Sequence, residues 1–173
     1  MTYPMLVIDP RLCIGCRACE VACEREHNGV SHIEVYFIEE LLSFSPLTCR
    51  HCARAPCVTV CPTEACRRDV TGIVYIDPLL CIGCRLCGIV CPFGVPRFRE
   101  DRKVMVKCDL CIHRVRRGRL PACAETCPTD AISFTPSYNK LAALRRREAA
   151  ERTVIASLEM ESLTTSQQSI KQD

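Results

Sequence analysis

The residues best placed to do chemistry are cysteines, of which the 173-residue chain has seventeen. Cys13, Cys16, Cys19 and Cys23 run CxxCxxCxxxC, and Cys81, Cys84, Cys87 and Cys91 repeat that spacing ahead of Pro92. Cys49, Cys52, Cys57 and Cys61 run CxxCxxxxCxxxC, and Cys108, Cys111, Cys123 and Cys127 open and close in the same way around a longer insertion. Two-residue gaps let a backbone curl around a cubane iron–sulfur cluster and aim its amides at the sulfurs, while a more distant fourth thiolate ties in a second chain segment. Zinc takes four ligands per ion and has no use for CxxCxxCxxxC. Disulfides belong to oxidising compartments. Residues 1–9 lack the basic stretch and long apolar core of a secretory signal, and no twin-arginine pattern precedes the first group. The reading is a reducing, cytoplasmic setting in which sixteen thiols stay available for four [4Fe–4S] clusters.

The elements that must hold these loops follow from internal repetition. Residues 8–16 read IDPRLCIGC and residues 76–84 read IDPLLCIGC; residues 61–65 read CPTEA and residues 127–131 read CPTDA. Short β-branched runs at residues 5–8, 33–38, 73–76, 104–106 and 131–134 read as strands. Each IDP ends a strand at a proline that cannot continue the ladder. A cysteine loop follows, and residues 17–24 and 85–90 read as single helical turns. The expected fold class is α+β, with cluster-bearing loops between strand and helix over residues 1–136. Cysteines then stop, and residues 137–173 read as a helix over about 139–158 with a polar tail. Leu141, Leu144, Ile155 and Leu158 could share a face of that helix, interrupted by Arg145, Arg146, Arg147 and Glu148.

The four groups, in this order, resemble the four-cluster ferredoxin-like subunits of molybdenum or tungsten pterin oxidoreductases, the dimethyl sulfoxide reductase beta-subunit type. Compact relatives serve tungsten aldehyde oxidoreductases, formate dehydrogenases, hydrogenases and carbon monoxide dehydrogenases. The resemblance covers about residues 5–136. It implies tandem bacterial ferredoxin-like modules in which the first group pairs with the fourth and the second with the third. Carried over, Cys13, Cys16, Cys19 and Cys127 hold one cluster, and Cys108, Cys111, Cys123 and Cys23 hold its mate. Cys81, Cys84, Cys87 and Cys61 hold a third, and Cys49, Cys52, Cys57 and Cys91 the fourth. Some relatives replace one ligand and carry a three-iron cluster; this chain keeps all sixteen cysteines, which implies four cubanes.

The implied function is electron transfer to or from the catalytic subunit of an oxidoreductase complex. A tungsten or molybdenum pterin enzyme is favoured, such as an aldehyde oxidoreductase or formate dehydrogenase. The alternatives are service to a hydrogenase or carbon monoxide dehydrogenase, or a free-standing polyferredoxin. The sequence has no Gly-rich dinucleotide fingerprint, P-loop, or nucleophile with base and orienting group, so the chain is not expected to catalyse a reaction on its own substrate. A formal net charge of +3 is too small to argue for nucleic acid. No eighteen apolar residues run uninterrupted, so no spanning helix is expected. The C-terminal helix could join the subunit to its partner or to further copies of itself, or fold back on its own domain.

Cys66 is left over. Aligning CPTEAC with CPTDAI sets it opposite Ile132, an apolar position, and free cysteine packs as a small hydrophobe. His27 is read as a hydrogen-bonding residue near a cluster rather than a ligand. His51 and His113, inside or beside cysteine groups, stand where they could tune cluster potential. Nine Arg or Lys between residues 97 and 119 have two readings, a solvated face that offsets anionic clusters or a docking surface for an acidic partner. Although 48% of residues are hydrophobic, that share includes the cysteines. With five Phe, four Tyr and no Trp, large side chains are too few to fill a core alone.

Overall fold

A computed structural model describes residues 4–135 together with Ala150, Thr153 and Val154. The expected helix over residues 139–158 therefore falls almost entirely outside the described residues. The chain divides into two units, Met1–Pro136 and Ser137–Asp173, and the first carries every cysteine. Its strands are β1 (Met5–Ile8), β2 (Ile33–Ile38), β3 (Ser43–Thr48), β4 (Cys66–Arg68), β5 (Val74–Ile76), β6 (Arg97–Arg99), β7 (Val104–Val106) and β8 (Ile132–Thr135). They form four two-stranded antiparallel ladders among the described residues: β1 with β8, β2 with β3, β4 with β5 and β6 with β7. Short helices follow the thiol loops: α1 (Ala18–Glu26), α2 (Pro56–Thr59), α3 (Leu86–Ile89), α4 (Ile112–Val115) and α5 (Ala122–Thr126).

The internal repeat reappears as geometry. Ile8 pairs with Ile132 across β1 and β8, and Ile76 pairs with Cys66 across β5 and β4. Just beyond each ladder, the Asp9 amide donates to the Ala131 carbonyl at 2.8 Å and the Asp77 amide to the Ala65 carbonyl at 2.8 Å. The aspartates of the two IDP segments then accept from the amides of Arg11 (3.1 Å) and Leu79 (3.0 Å), turning the chain into its cysteine loop. Cys66 and Ile132 are each 2% exposed, so these matched positions are both interior.

Three strands escaped the sequence reading for physical reasons. β3 carries Pro46, which takes the position opposite Val35 in a two-stranded ladder, where a missing amide can face outward. β4 and β6 are three residues long, CRR and RFR, too short and too charged to show a period. The helices α2, α4 and α5 span only four or five residues each and show no apolar periodicity.

Packing follows the thiols. One buried cluster contains Cys19, Cys23, Cys123, Ile33, Val35 and Ile132, and a second contains Cys57, Cys66, Cys87, Ala55, Val74 and Met105. Half of each cluster is cysteine, so sulfur fills space that leucine or phenylalanine would fill elsewhere. The cysteine loops fold tightly against this interior. Gly83 sits at φ +68°, and a Cβ there would lie 2.3 Å from the Lys103 carbonyl oxygen. A left-handed backbone costs an L-residue roughly 1–2 kcal/mol even without such a clash. Gly83→Ala is therefore expected to destabilise the cluster-loaded protein by at least about 2 kcal/mol, seen as a lower thermal midpoint with early release of iron. An unchanged midpoint would show that the loop relaxes freely.

Candidate metal centres

Three cavities in the first unit are walled chiefly by sulfur and hydrocarbon. One, of about 380 Å³, is lined by Cys49, Cys52, Cys57 and Cys91. A second, of about 300 Å³, is lined by Cys61, Cys81, Cys84 and Cys87. A third, also of about 300 Å³, is lined by Cys13, Cys16, Cys19 and Cys127. The remaining thiols gather around Cys123. Burial is the main cause that pushes its thiol up, followed by the nearby charges of Cys108, Cys111 and Cys23. In each gathering, three cysteines of one group meet the last cysteine of another. All seventeen cysteines are free thiols.

The backbone around these thiols is built to receive anionic sulfur. The third residue of each CxxC loop takes a left-handed conformation: Gly15, His51, Gly83 and Leu110, at φ of 70°, 45°, 68° and 56°. Turns of this kind rotate successive amides inward and form anion-binding concavities, as in many iron–sulfur sites. Several amides already point at sulfur: His32 to Cys23 Sγ (3.2 Å), Cys66 to Cys61 Sγ (3.3 Å), Met105 to Cys81 Sγ (3.3 Å) and Leu110 to Cys108 Sγ (3.4 Å). At Cys61 and Cys127, burial opposes ionisation. The amides of Cys66 and Ile132, with Thr63 and Thr129, nevertheless hold these thiols below their usual range, which favours the thiolate that binds iron. The donor set and its surroundings fit a sulfide cluster.

Comparison with known proteins agrees with this chemistry. Residues 41–137 match a family described as 4Fe-4S dicluster domain, and residues 12–65 match another with the same description. The protein is 35% identical over 151 residues to the B subunit of anaerobic dimethyl sulfoxide reductase of Escherichia coli K12, across 75% of this chain and 71% of that protein. It is 40% identical over 142 residues to the thiosulfate reductase electron transfer subunit PhsB of Salmonella typhi, across 75% and 74%. Protein NrfC of Escherichia coli K12 is 43% identical over 142 residues, across 75% and 63%. The chain belongs to the iron–sulfur electron-transfer subunits of molybdopterin oxidoreductases. As a member of that family it carries four [4Fe–4S] clusters.

Electron-transfer subunits must keep charged clusters in a poorly polar interior, and several side chains that the sequence reading did not single out serve that need. Lys107 is 4% exposed, with Nζ donating to the Val74 carbonyl, to the Cys108 carbonyl at 3.1 Å and toward Cys49 Sγ at 3.6 Å. A buried ammonium is costly unless paired, and Cys49 is the thiol that Lys107 Nζ approaches. Arg114, also buried, donates to Glu26 Oε2 at 2.8 Å, to the Leu120 carbonyl at 2.9 Å and to Glu125. It thereby pins the insertion of the fourth cysteine group to the end of α1. The basic run is thus no uniform face. Lys107 and Arg114 are interior, Arg97 pairs with Glu34, Arg99 with Asp101, Lys103 with Glu100 and Arg116 with Asp69. Its place directly before the CxxC of Cys108 is the one sequence signal that could have hinted at Lys107, and nothing in the spacing marked Arg114.

The histidines divide by role. His27 Nδ1 donates to the Cys23 carbonyl at 2.9 Å and Nε2 to Asp109 Oδ1 at 3.0 Å. Burial opposes its charge, but Asp109 and the sulfurs of Cys111 and Cys23 raise its pKa well above the usual range. With both nitrogens donating, His27 has no lone pair for a metal. His113 lies half exposed on Glu26 at 2.6 Å, away from the thiol cavities. His51 lines the largest of the three thiol cavities.

Cys66 is less chemically neutral than a plain packing residue. Its amide donates to Cys61 Sγ at 3.3 Å, and the neighbouring Cys66 thiol lowers the Cys57 pKa. It lines a cavity beside Cys61 and Cys81 without replacing either. Cys66→Ala is expected to keep all iron and to cost roughly 1 kcal/mol of stability. Loss of four iron atoms on assay would instead make Cys66 a ligand.

Proposed function

We propose that the sixteen cysteines hold their clusters in the four sets named above, each set taking its fourth ligand from the partner group, as in tandem ferredoxin-like modules. The observation that supports this reading is the gathering of Cys127 with Cys13, Cys16 and Cys19, and of Cys91 with Cys49, Cys52 and Cys57, across long stretches of sequence. The clusters supply one-electron transfer when bound. The protein's part is to hold them close together, shield them and set their potentials through amide donors, burial and Lys107.

In this reading the chain forms residues 1–136 into a four-cluster domain that has no substrate site and passes electrons to or from a catalytic subunit. Cys16 and Cys84, matched by the repeat, are exposed, and so are the neighbouring Ile14 (62%) and Ile82 (65%). Apolar rims around near-surface sulfur suit docking of a redox partner. The partner is a tungsten or molybdenum pterin enzyme, such as an aldehyde oxidoreductase or formate dehydrogenase, working in the cytoplasm. The sulfoxide and thiosulfate reductases named among the relatives favour a second reading, in which the partner reduces a small oxyanion or oxide. No helix among the described residues is long and apolar enough to cross a membrane. Purifying the native complex and measuring tungsten and molybdenum separates the partners, and a chain that purifies alone and fully loaded would overturn both in favour of a free polyferredoxin.

Anaerobic reconstitution should give about 16 iron and about 16 sulfide per chain, four of each per cubane. Cys127→Ala should remove the cluster built on Cys13, Cys16 and Cys19 and spare the one built on Cys108, Cys111 and Cys123. Retention of the first cluster with loss of the second would reverse the pairing.

The helix expected from the sequence over residues 139–158 is proposed to join the subunit to its catalytic partner or to further copies of itself, since an isolated helix of that length would be marginal in water. Removing residues 139–173 should leave the iron content intact and reduce the size of the native assembly. An assembly of unchanged size would exclude that role.

A further inference from the structure

The four CxxC loops share one left-handed position, filled by Gly15, Gly83, Leu110 and His51. Glycine takes this conformation freely, whereas other residues do so at a cost. His51 is the one polar side chain among the four. It is 6% exposed and lines the cavity of Cys49, Cys52, Cys57 and Cys91.

Its hydrogen bonding fixes where its proton lies. The Val74 amide donates to His51 Nδ1 at 3.1 Å. A nitrogen that accepts carries no hydrogen, so the neutral ring is protonated at Nε2. Nε2 is buried and has no hydrogen-bond partner among the described protein atoms, a costly state for a donor. The other polar side chains lining this cavity outside the cysteines, Arg50 and Lys107, are donors only. The remaining lining side chains are apolar, so the acceptors offered to Nε2–H by side chains are sulfurs.

We propose that the His51 Nε2–H donates a hydrogen bond to sulfur of the cluster held by Cys49, Cys52, Cys57 and Cys91, and raises the reduction potential of that cluster alone. The inference rests on the ligand set proposed above. A donor stabilises the reduced, more negative cluster more than the oxidised one, which moves the potential upward. The other three loops, with Gly or Leu at the matched position, offer no such side-chain donor. His51 therefore marks one cluster among the four CxxC loops and biases the electron toward it. It acts as a positioning and tuning residue, since Val74 holds its ring in place.

The test uses the full chain, anaerobically loaded, with each cluster followed by EPR during a redox titration. His51→Asn keeps an acceptor for the Val74 amide and tolerates the left-handed backbone, but its short side chain withdraws the distal donor. One cluster should become harder to reduce by about tenfold, a shift of about 59 mV for one electron. The other three and the iron content should stay constant. His51→Gln, whose amide nitrogen reaches about as far as Nε2, should recover most of the shift. With ¹⁵N-labelled histidine, pulsed EPR of the wild-type chain should show a nitrogen coupling to that cluster that is absent in His51→Asn. Cys57→Ala should remove the same signal that His51→Asn moves. Unchanged potentials in His51→Asn, with one cluster still lost in Cys57→Ala, would overturn the donor and leave the ligand set standing. A similar shift in all four clusters would also overturn it. Four intact clusters in Cys57→Ala would overturn the ligand set and this inference with it.

Discussion

Negative charge on sulfur, enclosed in a small protein, is the condition that the rest of this structure meets. An interior poor in water penalises ions unless hydrogen bonds and opposite charge surround them. The chain supplies amide donors from left-handed turns, which are local and follow from loop geometry. It also supplies Lys107, whose ammonium is 3.6 Å from Cys49 Sγ and bonded to backbone carbonyls on either side. Without sulfur-bound iron nearby, that lysine would be hard to justify. With it, the lysine and the thiolates offset each other.

The same condition explains the modest secondary structure. A two-stranded ladder is marginal by itself in water, and four of them do not make a broad sheet. Each leads into a cysteine group, at Cys13, Cys49, Cys81 and Cys108, and the β1–β8 pair brings the first and last cysteine groups to one place. Neither apolar cluster has an aromatic among its buried residues, and half of each is cysteine. Small scaffolds with limited cores need staples, and metal sites serve that purpose while coupling folding to metal loading. On the ligand sets proposed here, each cluster joins distant segments and takes the part that a larger hydrophobic core plays elsewhere.

Outside the thiol loops, a polar frame holds the insertion of the fourth cysteine group. His27 bridges the end of α1 to Asp109, and Arg114 links Glu26, Glu125 and the Leu120 carbonyl. These residues cost little where they can reach partners, and they tie the inserted loop to the end of α1 and to α5. A longer gap between ligands thus changes the route of the chain without changing the thiols that it presents.

The family and its cofactor were legible in the sequence because ligand spacing is a local property: CxxC sets the curl of a loop whatever surrounds it. The repeat likewise marked the IDP turns and the interior position shared by Cys66 and Ile132, since equal sequence in equal context folds alike. Tertiary structure decided what depends on contact between distant residues. The sequence showed neither that the Val74 amide fixes the proton of His51, nor that Lys107 leaves the apparent basic face for the interior, nor that Cys66 shares a buried cluster with Cys57. Strands β4 and β6 were also invisible, because three residues hold no period and exist only through their partners. Spacing along the chain specifies which atoms can bind iron, whereas the surroundings that tune each site come from segments far apart in sequence and are set only when the chain closes on itself.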